Sequence, residues 1–214
     1  MKFKYLISDM DGVLLDTEML ILEMYIKTAE FYGFTFPEDE FIKTIGIDVL
    51  GTKAILEEHI PVDYELFYQK RESFLVDFLT HNSAPVKNGV AEGLKLLCES
   101  NVLCAIATST SKERALFRLS KTGLMKYFDT CAFGDEIMHG KPAPDIFLLA
   151  AERLSADPEE CVVFEDSPAG IMSAKRAGMH AVLIPDMKQP DDELKELADF
   201  VAQDFWAAAQ YVLS

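Results

Sequence analysis

Basic side chains are scarce in this chain: 20 lysines and arginines stand against 36 aspartates and glutamates, a formal charge of −16. That balance excludes a surface built to grip nucleic acid or an anionic membrane. An anionic substrate would have to be drawn by a local metal and lysine, not by the general field. Much of the acidity lies in runs such as Glu38-Asp39-Glu40 and Asp191-Asp192-Glu193, which read as solvated helix faces. Cysteine is sparse too. Cys98, Cys104, Cys131 and Cys161 show no C-x-x-C spacing, which argues against a zinc site or a disulfide framework and for reduced core thiols. There is no apolar stretch of membrane-spanning length, no charged-then-apolar leader with a cleavage site, no internal repeat and no low-complexity segment. The expectation is a soluble, cytoplasmic monomer.

Hydrophobic residues make up 50% of the 214 positions, ample for one large domain or one domain carrying an insert. Short apolar runs recur between helical stretches: Phe3–Ser8, Val102–Ala107, Thr130–Phe133, Val162–Phe164 and Ala181–Ile184. Strands alternating with helices predict an α/β fold with a parallel sheet covered on both faces. Thr110 with Glu113 reads as a capping box opening a helix that Gly123 closes. Pro144 and Pro168 suit first helical turns, and Gly178 lies just past a helix end. The interval 17–83 breaks the alternation. It reads as helix only, over Glu18–Tyr32, Pro37–Ile45, Thr52–His59 and Asp63–Thr80, with Leu22, Ile26 and Ala29 on one apolar face. This predicts a core of residues 1–16 and 84–214, with 17–83 an inserted helical cap hinged near Asp16-Thr17 and at 81–85 and closing over the site in each cycle.

Four polar elements fall at the carboxyl ends of predicted strands or in the loops beyond them. They are Asp9 and Asp11, Thr108-Ser109, Lys141 in Gly140-Lys141-Pro142-Ala143-Pro144-Asp145, and Glu165-Asp166. In parallel sheets that edge is where ligands bind. Carboxylates gathered in a partly desolvated crevice need a cation or a proton. The chemistry that uses this set is phosphoryl transfer. Asp9 is the candidate nucleophile and Asp11 the acid and base; Lys141, the Thr108 hydroxyl and backbone N–H groups near Met10 and Ser109 would meet phosphate oxygens. A Mg²⁺ ion between Asp9 and Asp166 would relieve the repulsion between nucleophile and dianion. Gly12 would let the backbone turn sharply beneath the site.

Asp9-Met10-Asp11-Gly12-Val13-Leu14-Leu15-Asp16-Thr17, the Lys-Pro-x-Pro-Asp segment at Lys141, and Glu165-Asp166-Ser167-Pro168-Ala169-Gly170 together resemble the haloacid dehalogenase superfamily. The branch is the one containing β-phosphoglucomutase and small sugar-phosphate phosphatases. The resemblance spans the chain and implies a Rossmann-like core, a helical cap after the first strand and an aspartyl-phosphate intermediate with Mg²⁺. By matching position, Asp9 is the nucleophile, Asp11 the acid/base, and Thr108, Ser109 and Lys141 the phosphate contacts. Glu165 and Asp166 match metal carboxylates, with Asp9 and the backbone carbonyl of Asp11 completing the metal set.

The mutase pattern carries a histidine a few residues after this first motif, and basic residues around a cap glycine. Here Glu18-Met19-Leu20-Ile21-Leu22 contains no histidine, and Ile45 and Val49 flank Gly46. A hydrolase of a small phosphorylated metabolite is the favoured reading, with a sugar-phosphate isomerase as the alternative. A receiver domain storing an aspartyl phosphate is disfavoured by the Asp-x-Asp spacing and the insert, and haloalkanoate dehalogenation has no use for the metal carboxylates. Lys43, Lys53, Lys70 and Arg71 read as solvated helix residues and His59 and His81 as surface or hinge residues, while His139 and His180 lack ligand spacing. Met19, Met24 and Phe31 read as cap core. Glu18 is a candidate for facing the cleft.

Overall fold

The five apolar runs form parallel strands: β1 (Tyr5–Ser8), β2 (Leu103–Thr108), β3 (Thr130–Phe133), β4 (Cys161–Glu165) and β5 (His180–Leu183). A computed structural model describes residues 3–45 and 49–214, the side chain of Val49 excepted. A sixth strand, β6 (Phe200–Val201), extends one edge; two residues are too few to leave a periodic signal. The sheet order is β3-β2-β1-β4-β5-β6, and every pairing is parallel.

Side chains alternate across this sheet. Leu6, Cys104, Ile106, Val162 and Phe164 pack on one face with α5 (Val90–Glu99), α6 (Lys112–Leu119) and α10 (Phe205–Leu213). Ile7, Ala105, Ala107 and Val163 pack on the other with α7 (Asp145–Leu154), α8 (Pro168–Arg176) and α9 (Asp192–Leu197). Burial on both faces is why the strands read as continuous apolar runs.

Between β1 and α5 the regular elements among the described residues are helices: α1 (Thr17–Tyr32), α2 (Glu38–Thr44), α3 (Val49–Leu56) and α4 (Tyr64–His81). They enclose a core of their own built on Tyr25, Phe36, Phe41, Leu56 and Phe67. Leu20, Met24, Leu75 and Leu79, at the ends nearest the sheet, join the cluster beneath it. The two chain crossings run side by side: Asp16 N–H donates to the Pro85 carbonyl at 2.9 Å and Lys87 N–H to that of Leu14 at 3.0 Å.

Several local expectations shift. The third helix of the insert starts at Val49, not Thr52, and runs through Gly51; a single helical glycine costs only about 1 kcal/mol. The helix after β2 begins at Lys112, with Ser111 as its cap and no side-chain capping bond, so Thr110 and Glu113 do not form the predicted box. It ends at Leu119; Gly123, at φ 71°, serves a later turn. Ser167 does cap α8, accepting from Gly170 N–H with Pro168 in the first turn, and α1 ends on Gly33 in the left-handed region. Cys104 and Cys161 are buried core thiols as expected, whereas Cys98 lies on the exposed side of α5. Met24 is core, but Met19 and Phe31 are exposed, the Phe31 ring being covered by the Lys70 ammonium at 4.4 Å. Among the described residues no helix is long and apolar enough to cross a membrane.

Phe67 is fully buried, its ring 6.0 Å from that of Tyr25 and 5.7 Å from that of Phe34. Phe67→Ala is expected to cost about 3–5 kcal/mol, as large-to-small core changes do. Urea unfolding followed by circular dichroism would measure it, and a cost near zero would mean that the four helices hold no core of their own.

Candidate active site

The strand order reverses direction between β1 and β4, and the carboxyl ends of the strands at such a reversal are where open α/β sheets bind ligands. The register puts Ser8 opposite Phe164, and Asp9 N–H donates to the Phe164 carbonyl at 2.9 Å. Asp9 and Glu165 are thereby brought to the same level on neighbouring strands. Between them reaches Lys141 from the loop beyond β3, its Nζ 2.5 Å from Asp9 Oδ1 and 2.6 Å from Glu165 Oε1. All three are buried at this point.

Both oxygens of Glu165 are engaged. Its second oxygen accepts from the N–H groups of Asp166 and Ser167, at 2.9 and 2.8 Å, and from the Ser167 hydroxyl at 2.9 Å. Gly170 lies directly beneath, where an added Cβ would come within 1.8 Å of the Glu165 carboxyl. Gly12, at φ 79°, makes the predicted sharp turn, and a Cβ there would meet Asp166 Oδ2 at 2.2 Å. Close approach of the backbone, together with the left-handed φ, demands glycine at position 12.

Oxygens of Asp9, Glu165 and Asp166 come within 4.8 Å of one another. Among the described residues no donor hydrogen-bonds the Asp166 carboxylate. Burial, then the Glu165 and Asp9 charges, pushes Asp166 well above the usual carboxylate range. Burial likewise pushes Asp9 up to about 7, Lys141 pulling the other way. Burial alone would lower Lys141, but the Asp9 and Glu165 charges overcome it and its pKa is raised. Hard oxygen donors crowded without enough positive charge are what a divalent cation such as Mg²⁺ fits.

The side chain of Asp11 stands outside that group. Its Oδ2 accepts from the Thr110 hydroxyl at 2.8 Å and its Oδ1 from Arg118 Nη1 at 2.7 Å. Thr108 ends β2 next to β1 and Ser109 follows it; Thr108 is buried and its Oγ1 accepts from Thr110 N–H at 3.0 Å, while Ser109 is exposed. Among the described residues neither side chain bonds a carboxylate of the cluster. Glu18 lies in the first turn of α1, half-buried. Burial, with the Asp11 and Asp186 charges, pushes its carboxyl up to about 7 against Arg118 and Lys87.

Sequence reasoning missed two residues here. Thr110 read as a helix cap, but a carboxylate is the stronger acceptor and takes its hydroxyl. Arg118 carries no motif in the sequence; only the placement of α6 beside Asp11 reveals it. Arg71 is corrected as well. Instead of being solvated it is buried, over the rings of Tyr25 and Tyr68 at 5.0 and 4.6 Å, and it pairs with Glu72 at 2.7 Å. Lys43 pairs with Glu40 at the surface. His59 and His81 are exposed beside Glu40 and Asp77. Gly46 and the side chain of Val49 lie outside the described residues.

Residues 6–184 match the haloacid dehalogenase-like hydrolase family. The chain belongs to that family. It is 38% identical over 182 residues to a phosphorylated carbohydrates phosphatase of Thermotoga maritima, covering 82% of each chain. A fructose-1-phosphate phosphatase of Escherichia coli is 31% identical, across 85% of this chain and 96% of that one. A solved Thermotoga maritima structure, provisionally described as a β-phosphoglucomutase, superposes with a TM-score of 0.85 at 34% identity over 98% of both chains. The fold is therefore the Rossmann-like α/β fold of this family, and the protein is an enzyme of the phosphoric monoester hydrolase class.

The raised carboxyl groups set a pH dependence. Asp9 and Glu18, both raised to about 7 from 3.8 and 4.5, hold their protons more tightly folded than unfolded. Their stabilisation is complete below pH 3.8 and is lost as pH climbs through 7. A cation on the ionised form reverses that loss for Asp9. The rise in thermal midpoint on adding Mg²⁺ should therefore grow between pH 5 and pH 8. A rise that shrank over the same range in a fluorescence melt would contradict this.

Proposed function

We propose that the protein is a Mg²⁺-dependent phosphatase of small phosphorylated carbohydrates, acting through a phosphorylated Asp9. The observation that carries the reading is the buried Asp9–Lys141–Glu165 contact beside Asp166, in a chain whose relatives include two phosphatases of phosphorylated sugars. Asp9 attacks phosphorus as the ester P–O bond breaks, and Asp11 gives a proton to the departing alkoxide. Asp11 then takes a proton from the water that attacks the aspartyl phosphate, and as the acyl P–O bond breaks phosphate leaves with Asp9 restored. Lys141, held by Glu165, sets a fixed positive charge against the nucleophile and the transferring oxygens. The Thr108 hydroxyl and Ser109 serve the remaining phosphate oxygens. Mg²⁺, when held by Asp9, Asp166, Glu165 and the backbone carbonyl of Asp11, supplies charge neutralisation between nucleophile and dianion.

Residues 17–83 act as a cap that excludes water from the phosphorylated site and reads the organic part of the substrate, on a core of 1–16 and 84–214. The same chemistry would serve a sugar-phosphate mutase, and the Thermotoga structure described as one keeps that reading in view. Position 18 and its neighbours offer Glu18, Met19 and Leu20 and no histidine, which supports the hydrolase. An enzyme of this kind works as a soluble cytoplasmic monomer.

A panel of sugar, polyol and nucleotide monophosphates with Mg²⁺ should release inorganic phosphate, fastest from sugar phosphates. Asp9→Asn should lower kcat by about a thousandfold or more, as loss of a nucleophile does, with an unchanged circular dichroism spectrum. Retained turnover in that variant would overturn the proposal. Interconversion of hexose phosphates without phosphate release would establish the mutase instead.

A further inference from the structure

The carboxylate of Asp11 is gripped from outside the motif that carries it. Arg118 Nη1 lies 2.7 Å from Oδ1 and the Thr110 hydroxyl 2.8 Å from Oδ2, so each oxygen has its own donor. The Arg118 side chain is only 12% exposed, and a guanidinium is planar and rigid enough to fix the orientation of what it holds. Arg118 is held in its turn by the helix it sits on. One turn earlier on the same face of α6, Arg114 Nη2 pairs with Glu72 Oε2 of α4 at 2.8 Å. Glu72 is braced by the buried Arg71 at 2.7 Å. Just past α6, Lys121 donates to the carbonyls of Leu79 and Thr80 at the end of α4. The helix bearing Arg118 is thus pinned to the insert at both ends.

We propose that Arg118 is a positioning residue for proton transfer: it fixes the Asp11 carboxylate against the ester oxygen, and α4 fixes Arg118. This rests on the reading of Asp11 as the acid that protonates the leaving alkoxide. Arg118 touches no reacting atom and acts only through Asp11. A plain structural ion pair would support every substrate alike; a positioning role matters only where the leaving group needs a proton.

The test is a series of simple alkyl and aryl phosphates of falling leaving-group basicity, from ethyl phosphate to p-nitrophenyl phosphate, none carrying further hydroxyls. The ratio kcat/KM reports the steps up to departure of the alcohol. Arg118→Met should lose about tenfold or more on ethyl phosphate, within the range of general acid catalysis, and less than about threefold on p-nitrophenyl phosphate. Arg118→Lys keeps the charge without the fork and should show the same selective loss at smaller size; it carries the test if the methionine variant fails to fold. In an Asp11→Asn background Arg118→Met should cost nothing further, since the residue it acts through is gone. Equal losses across the series, or losses that multiply in the double variant, would overturn the proposal. A wild-type enzyme that releases phosphate neither from these esters nor from the sugar phosphates would instead overturn the phosphatase reading itself.

Discussion

A buried ammonium between two buried carboxylates is the constraint on which this molecule is organised. Lys141 touches Asp9 and Glu165 at the seam where the sheet changes direction. Removing one member of such a group strands the others in a low-dielectric site, at a cost of about 3–5 kcal/mol. The surroundings are shaped to prevent that. Glu165 is locked by the N–H groups of the two residues that follow it, and Gly170 has no side chain to displace it. The positive charge still falls short of the negative once Asp166 is counted. That shortfall leaves the site receptive to a divalent cation rather than a finished structural ion pair.

The rest of the fold delivers these groups to one place. Three adjacent strands, β2, β1 and β4, end together, so residues about a hundred positions apart in the chain share one crevice. The helical insert is reached by paired crossings immediately after the Asp-x-Asp loop. A movement of those helices would bear directly on the loop that carries Asp9 and Asp11. The strap through α6 adds a second route, from Glu72 by way of Arg114 and Arg118 to Asp11. Both routes join the helical insert to the loop that carries Asp9 and Asp11.

Most of this architecture was legible in the sequence, because burial on both faces writes central parallel strands as apolar runs and glycines and prolines mark the turns. The residues of the site were legible for a related reason. Polar groups that interrupt or follow an apolar strand have few purposes there, and Asp9, Thr108 and Glu165 stand in that position, while Lys141 shows itself only by its place in the loop beyond β3. What could not be read depends on tertiary placement. Arg118 and Arg71 look alike in sequence, each a cation in an amphipathic helix, yet one grips Asp11 and the other is buried between tyrosines. Thr110 obeyed a local capping rule until a nearby carboxylate offered a better partner. The edge strand β6 forms because β5 offers an open edge, not because two residues prefer it.

The central claim is that the Asp9 carboxylate becomes covalently phosphorylated. An acyl phosphate, unlike a free carboxylate, is reduced by borohydride to an alcohol. Enzyme quenched during turnover of a sugar phosphate, treated with borohydride and digested, should therefore yield a peptide with homoserine at position 9, absent when substrate is omitted. Rapid phosphate release with Asp9 recovered unmodified at every quench time would contradict the account.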